Sequence, residues 1–315
     1  MDVFTLGETM VSFNTVNNRS IVQHDETLAS IAGAESNVSI ALARLGNKVK
    51  WFSRLGNDPF GQKILYELNA HLVDTSDVII DSNHSTGLMF KQKKELLDSE
   101  VIYYREQSAA STMDKNDVRE EWIKHARLIH ITGITPALSH SCKELVMEVI
   151  RLAKRHGILI SFDPNIRLKL WDIEAARETL IPIAKQCDIF LPGKSEMKLL
   201  CNVEEFNSIE VYLKEWEVPL TVMKDGANGA WVLENGESTF IPSFKVKRVV
   251  DEIGAGDAFA AGFLHGFLQK RSHENAVKMG HACAAFVVSS EGDTNGLPTK
   301  QELERFLAND FGTVR

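Results

Sequence analysis

Beyond Ser141 the chain alternates between two kinds of hydrophobic pattern. The segment CKELVMEVIRLAKRH sets apolar residues on a helical period and stops at Gly157, and ILISFD then reads as a buried strand. In the same way IEAARETLIPIAKQ leads into DIFLP, and SIEVYLKEWEV into PLTVMKDG. Repeated helix–strand units imply parallel strands joined by crossovers. VFTLG, KVKWFSRLG and LIHITG add upstream strands, so the pattern predicts an α/β fold with a doubly wound, mainly parallel sheet flanked by helices. Two stretches, 11–32 and 87–105, instead show strand-like alternation with few helix signals. They predict a small β-sheet standing off the main one, a lid able to close over the strand ends. Asn235-Gly236 between two apolar runs predicts a hairpin. No repeat or low-complexity linker divides the chain, so residues 1–315 are read as one domain carrying that lid.

Composition narrows the partners. Among 315 residues, 43 are acidic and 35 basic. No run of Lys and Arg is long enough to suggest a nucleic-acid groove or a membrane patch. The opening MDVFTLGETM is unlike a secretory signal, and no apolar stretch is long enough for a membrane span. Cys142, Cys187, Cys201 and Cys283 are widely spaced, which predicts reduced thiols in a cytoplasmic protein rather than a zinc site or redox dithiol. Small molecules are the expected partners.

The strongest chemical signal is DEIGAGDAFAAGFL, Asp251 to Leu264. Helix N-termini attract anions, so a carboxylate at Asp257 is a puzzle. Gly254, Ala255 and Gly256 could point consecutive amides at one spot and form an anion hole for a transferring phosphoryl group, with Asp257 deprotonating the attacking hydroxyl. Alternatively, Asp257 only caps the helix. On this stretch alone both readings stay open. Two other phosphate fingerprints fail. GNDPFGQK places Gln62 where a Walker loop needs Lys, and Phe259 takes the place of the third glycine of a dinucleotide motif.

With these residues in view, the whole chain resembles the ribokinase-like, PfkB-type carbohydrate kinases. Asp251 to Leu264 resembles their C-terminal signature, and AGAESNVSIALARLG, Ala32 to Gly46, followed by Gly56, resembles the N-terminal one. The resemblance implies ATP and Mg2+ as cofactors, Asp257 as base, the amides of Gly254, Ala255 and Gly256 as anion hole, and Gly33 and Asn37 as sugar contacts. LPGKSE is similar to the family's Asn-x-x-Glu element, with Gly193 in place of Asn. It implies that Glu196 organises Mg2+ indirectly, through the phosphates. MKDGANGA is similar to the Lys-x-Gly-x-x-Gly nucleotide loop and implies Lys224, Gly226 and Gly229 as nucleotide contacts. Two departures stand out. Glu35 replaces a small residue, and Glu252-Ile253 replaces the usual Thr-Thr type pair near a frequent potassium site, which leaves the monovalent cation open.

The sugar is addressed by IYYREQSAAS. On a strand, Tyr103 and Arg105 point to one face, and DPNIR adds Arg167 just beyond ILISFD. Arg is the preferred planar partner of a carboxylate. The set resembles that of the 2-keto-3-deoxygluconate kinases, whose YYR and D-x-N-x-R elements hold the sugar acid, although Met89 stands where a substrate-facing Tyr is frequent. The expectation is ATP-dependent phosphorylation of 2-dehydro-3-deoxy-D-gluconate at its 6-hydroxyl. A neutral sugar would leave two buried guanidinium groups without partners. The alternatives are a fructokinase or other neutral-sugar kinase, a non-catalytic sugar- or nucleotide-binding regulator, and surface ion-pair roles for the two arginines. An unpaired lid edge predicts a homodimer.

Overall fold

The strands are, in chain order, β1 (Val3–Leu6), β2 (Met10–Thr15), β3 (Thr27–Ala32), β4 (Val49–Phe52), β5 (Arg54–Gly56), β6 (Ile79–Asp81), β7 (Leu88–Gln92), β8 (Glu100–Tyr104), β9 (Leu128–Thr132), β10 (Leu159–Asp163), β11 (Ile189–Phe190), β12 (Leu220–Lys224), β13 (Gly229–Glu234) and β14 (Glu237–Pro242). The computed structural model describes residues 1–16, 21–22, 26–92, 100–290 and 292–308. Parts of the expected lid, at 17–20, 23–25 and 93–99, lie outside the described residues.

Eight strands form the main sheet in the order β14-β13-β12-β11-β10-β9-β1-β4. The six from β12 to β4 are parallel, and β13 and β14 close one edge antiparallel. Every residue of β1, β4 and β9 is buried, as expected of parallel strands covered on both faces. Two apolar cores provide that cover. One gathers the Ala34–Arg44, Ala255–Leu268 and His273–Val288 helices, and the other the His140–His156, Ile173–Ala184 and Phe206–Glu215 helices. The predicted hairpin is present: Glu234 faces Glu237 across Asn235 and Gly236, whose φ values of 52° and 81° suit a tight two-residue turn.

The two stretches that broke the helix–strand rhythm form a separate four-stranded sheet, β3-β2-β7-β8. Its strand alternation sorts Met89, Lys91, Val101 and Tyr103 onto one face and Phe13, Phe90, Ile102 and Tyr104 onto the other. One element differs from expectation. KVKWFSRLG is not a single strand; it breaks at Ser53, and Arg54–Gly56 pairs with Ile79–Asp81 in a third, two-stranded sheet. The cause is Arg54, whose guanidinium grips Asp117 through two bonds of 2.8 and 2.6 Å and cannot continue a strand buried on both faces. GNDPFGQK starts the Pro59–Ala70 helix, and Asp58 accepts from the amides of Gly61 and Thr86, both at 2.8 Å. A side-chain carboxylate thus sits where a Walker loop would hold phosphate.

The Ala255–Leu268 helix is held by close packing on the His273–Val288 helix. At Gly262 a Cβ would stand 2.6 Å from the Met279 carbonyl oxygen and 2.8 Å from Cys283 Sγ. We therefore expect Gly262→Ala to force the helices apart and cost about 1–3 kcal/mol. A thermal melt checks this, with a fall of roughly 1–2 °C per kcal/mol expected for a chain of this size; an unchanged midpoint would show that the contact is relieved at no cost.

Candidate active site

The parallel strands end together at one edge of the main sheet, where open α/β sheets bind ligands. Glu8 follows β1, Thr132 ends β9, Asp163 ends β10 and Lys224 ends β12. The N-terminus of the Ala255–Leu268 helix faces the same place. Its cap, Gly254, has φ of +78°, the left-handed conformation that glycine adopts without penalty. The first amides of a helix have no partner within it, so this end presents free N–H groups.

Asp257 lies in the first turn of this helix. Its carboxylate accepts from Asn37 Nδ2 at 2.8 Å and from Asn165 Nδ2 at 3.4 Å. Removal from water pushes this carboxyl up to about 7. Repulsion by Asp163 adds to the rise, and the Asn37 bond and the charges of Arg167 and Lys224 oppose it. Simple capping therefore does not describe Asp257.

Lys224 reaches inward from the end of β12. Its ammonium bonds Asp163 at 2.5 Å and lies 3.8 Å from where a Cβ on Gly256 would stand. Burial works against its charge, but Asp163, Glu196 and Asp257 outweigh that and raise its pKa. Gly226 lies in the β12–β13 turn and Gly229 opens β13, with φ of +54° and +146°. Lys224 is directed at the helix N-terminus. Glu196 accepts from the amides of Gly193 at 2.6 Å and Ile166 at 2.8 Å. Desolvation first, and then the charge of Asp163, raise its pKa. Both of its oxygens serve backbone amides and tie the 164–167 loop to the Lys194–Cys201 helix. Among the described residues, no group of three or more His, Cys, Asp or Glu is placed to hold a metal. Mg2+ needs none when phosphates and water supply its oxygens.

At the head of the Ala34–Arg44 helix, Gly33 is extended, and a Cβ there would meet the Glu8 carbonyl oxygen and the Thr9 and Ser36 hydroxyls. Glu35, the departure from the family pattern, is fully buried. It accepts from the hydroxyls of Thr132 at 2.7 Å and Thr135 at 2.8 Å, and burial raises its pKa. It pins this helix to the end of β9.

Tyr103 and Arg105 do come together, with the guanidinium carbon 5.3 Å from the ring centroid. Arg105 is not a surface ion-pair residue. It is buried against the carboxylate of Glu8, which is itself fully buried and also accepts from Ser108 Oγ at 2.5 Å. This corrects the expectation that a neutral sugar would strand two guanidinium groups, because Arg105 has a resident counter-charge. Arg167, by contrast, is exposed, and its charge bears on Asp257 and Asp293. Nearby, Lys169 donates to the Val101 carbonyl at 2.9 Å and lies 5.6 Å from the Tyr103 ring centroid, joining the 164–170 loop to the small sheet. Sequence reasoning missed Glu8, Lys91, Lys169 and Asp293. Asp163 and Asn165 stood within DPNIR, where the spacing that singled out Arg167 could have marked them.

A doubly wound sheet with a small second sheet beside its carboxyl edge, and a buried carboxylate among free helix amides, define a sugar kinase of the ribokinase-like fold. The sequence matches the pfkB family carbohydrate kinases over residues 1–300, and the chain belongs to that family. It is 37% identical over 310 residues to the 2-dehydro-3-deoxygluconokinase of Bacillus subtilis (strain 168), covering 98% of this chain and 96% of that one. It is 30% identical over 316 residues to Fructokinase-1 of Oryza sativa subsp. japonica, covering 97% of each. A putative Ribokinase II from E. coli, solved in complex with ATP and Mg2+, superposes with a TM-score of 0.91 at 26% identity, covering 98% of this chain and 99% of that one. No described helix is long and apolar enough to cross a membrane.

The Arg105–Glu8 pair makes a stability prediction. Glu8→Ala leaves a guanidinium buried without its carboxylate and is expected to cost about 3–5 kcal/mol. Chemical denaturation measures this, and a loss below about 1 kcal/mol would mean that Arg105 finds water instead.

Proposed function

We propose that the protein transfers the γ-phosphoryl group of ATP to the 6-hydroxyl of 2-dehydro-3-deoxy-D-gluconate. The observation that carries the substrate reading is the cationic and phenolic set around the cleft: Tyr103 stacked with Arg105 on the small sheet, and Arg167 bearing on Asp257 from the main body. The likeness to the Bacillus subtilis 2-dehydro-3-deoxygluconokinase supports it. In this reading Arg167 and Arg105 with Tyr103 bind the acid end of the sugar, Gly33 and Asn37 touch its body, and the hydroxymethyl end rests at Asp257. Asp257 takes the hydroxyl proton as the oxygen bonds to phosphorus and the bond from phosphorus to the ADP oxygen breaks. The amides of Gly254, Ala255 and Gly256, with the Lys224 ammonium, stabilise the charge on the transferring group. The nucleotide lies along Gly226 and Gly229. Mg2+ would supply positive charge to the phosphate oxygens when bound, and Glu196 keeps the 164–167 loop in place.

A second reading has its own support. The Glu8 carboxylate neutralises Arg105 without any ligand, which favours a neutral sugar, and the rice fructokinase is a relative. A homodimer is also proposed; Ile102 and Tyr104, 41% and 64% exposed on the outer face of the small sheet, offer it an apolar surface.

Asp257→Asn is expected to lower kcat about 100-fold to 10,000-fold with the fold intact. If the melting point falls and kcat hardly changes, Asp257 is not the base. A base with a pKa near 7 works only when deprotonated, so kcat/KM should climb as pH rises through about 7 and level off above it. A flat profile from pH 5 to 9 would count against the role.

Arg167→Ala decides the substrate. A charge-assisted bond contributes about 1.5–3 kcal/mol, so kcat/KM for the keto-deoxy acid should fall roughly 10-fold to 150-fold and that for fructose much less. A wild type preferring fructose, or an unchanged ratio in the variant, would leave the neutral-sugar reading standing.

A further inference from the structure

The cleft face of the small sheet carries one more charged side chain, Lys91. Strand alternation sets it beside Met89, and it is paired in register with Asn14 on β2 and Val101 on β8. Only 3% of its side chain is exposed. A buried ammonium is costly unless a carboxylate meets it. The carboxylate here comes from the main body: Nζ donates to Asp251 Oδ2 at 3.1 Å. The charge of Lys91 also bears on Asp293. Burial first, and then repulsion by Asp251, raise the Asp293 pKa, and Lys91 opposes that rise.

Both residues sit against the turn that opens the Ala255–Leu268 helix, Asp251 through its carboxylate and Asp293 through its backbone. The other oxygen of Asp251 accepts from the Ile253 amide at 3.2 Å, and the Asp251 amide donates to the Val288 carbonyl at 3.4 Å. Asp293 backs Gly254 so closely that a Cβ on that glycine would lie 2.7 Å from the Asp293 carbonyl oxygen. The left-handed turn at Gly254 is therefore bounded by the Asp251 carboxylate and the Asp293 backbone, and one cation that bears on both residues belongs to the small sheet. Without it, Asp251 loses its ammonium partner beside the turn that aims the helix amides.

We propose that Lys91 is a positioning residue for phosphoryl transfer, acting through Asp251 to hold the Gly254–Gly256 turn in the geometry that receives the transferring group. It would make the aim of the helix amides depend on the small sheet being seated against the main body. The proposal rests on the reading of that turn as the anion hole.

The test compares wild type with Lys91→Met, Lys91→Ala, Asp251→Asn, the Lys91→Met/Asp251→Asn pair and Asp257→Asn. ADP release is followed with MgATP and whichever of 2-dehydro-3-deoxy-D-gluconate and fructose wild type turns over faster. A misplaced hole should lower kcat about 10-fold to 100-fold in Lys91→Met, with KM for MgATP nearly unchanged. The double variant should lose no more than the worse single one, because the two residues act as a unit. Ethylammonium chloride should restore part of the lost kcat in Lys91→Ala, and tetramethylammonium chloride at equal ionic strength should not. A lower melting point with normal kcat, losses that multiply in the double variant, or no selective rescue would each overturn the proposal. Should Lys91→Met not fold, Asp251→Asn alone must still show the kcat loss for the proposal to stand. Full turnover in Asp257→Asn would instead sink the reading of the helix end as the reaction centre, whatever Lys91 does.

Discussion

The site depends on one constraint: several like charges share a space that excludes water. Asp163, Glu196 and Asp257 all act on Lys224, and the charge of Asp163 adds to the burial that raises the pKa of Glu196 and of Asp257. The fold resolves this by giving each a different partner. Asp163 takes the ammonium, Glu196 takes two backbone amides, and Asp257 takes two side-chain amides. Neutral donors stabilise a carboxylate less than a cation does, so burial raises the pKa of both Glu196 and Asp257, and Asp257 is pushed up to about 7.

That arrangement explains the surrounding architecture. The carboxylates and the lysine come from the ends of β10 and β12 and from two helix N-termini, elements packed into the two main cores. Rigid elements can hold charges at distances that loops would relax. The small sheet meets the same region through Arg105 at Glu8, Lys91 at Asp251 and the Val101 carbonyl at Lys169. Val11 and Ile31 also anchor it in one of the main apolar cores, so polar contacts at the site add to apolar burial at its root.

Much of the fold was legible in the sequence because hydrophobic period and turn chemistry are local properties. The helix ending at Gly157, the buried run of β10 and the Asn235-Gly236 turn need only a few neighbouring residues to be recognised. The exception, the break at Ser53, arises from Arg54 meeting Asp117, 63 residues away. The site divides the same way. Asp257 and its glycines form a local motif, whereas its partner Asn37 lies 220 positions distant and was reached through family resemblance. Glu8 gave no signal, since a single acidic residue after a strand means nothing until Arg105, far along the chain, is folded onto it. A reading of Arg105 from sequence could see its charge but not the charge that answers it.

That answering charge has a consequence for how such a pocket can change over time. A guanidinium that relies on its ligand for neutrality locks a protein to anionic ligands, since losing the anion would threaten the fold itself. With Glu8 built in beneath it, Arg105 is compensated whether or not an acid is bound. Replacements elsewhere around the cleft can then redirect the choice of sugar one step at a time, without an unstable intermediate sequence. Substrate preference becomes a trait that can drift while the scaffold stays sound, and acid-specific and neutral-specific kinases can be near neighbours in sequence.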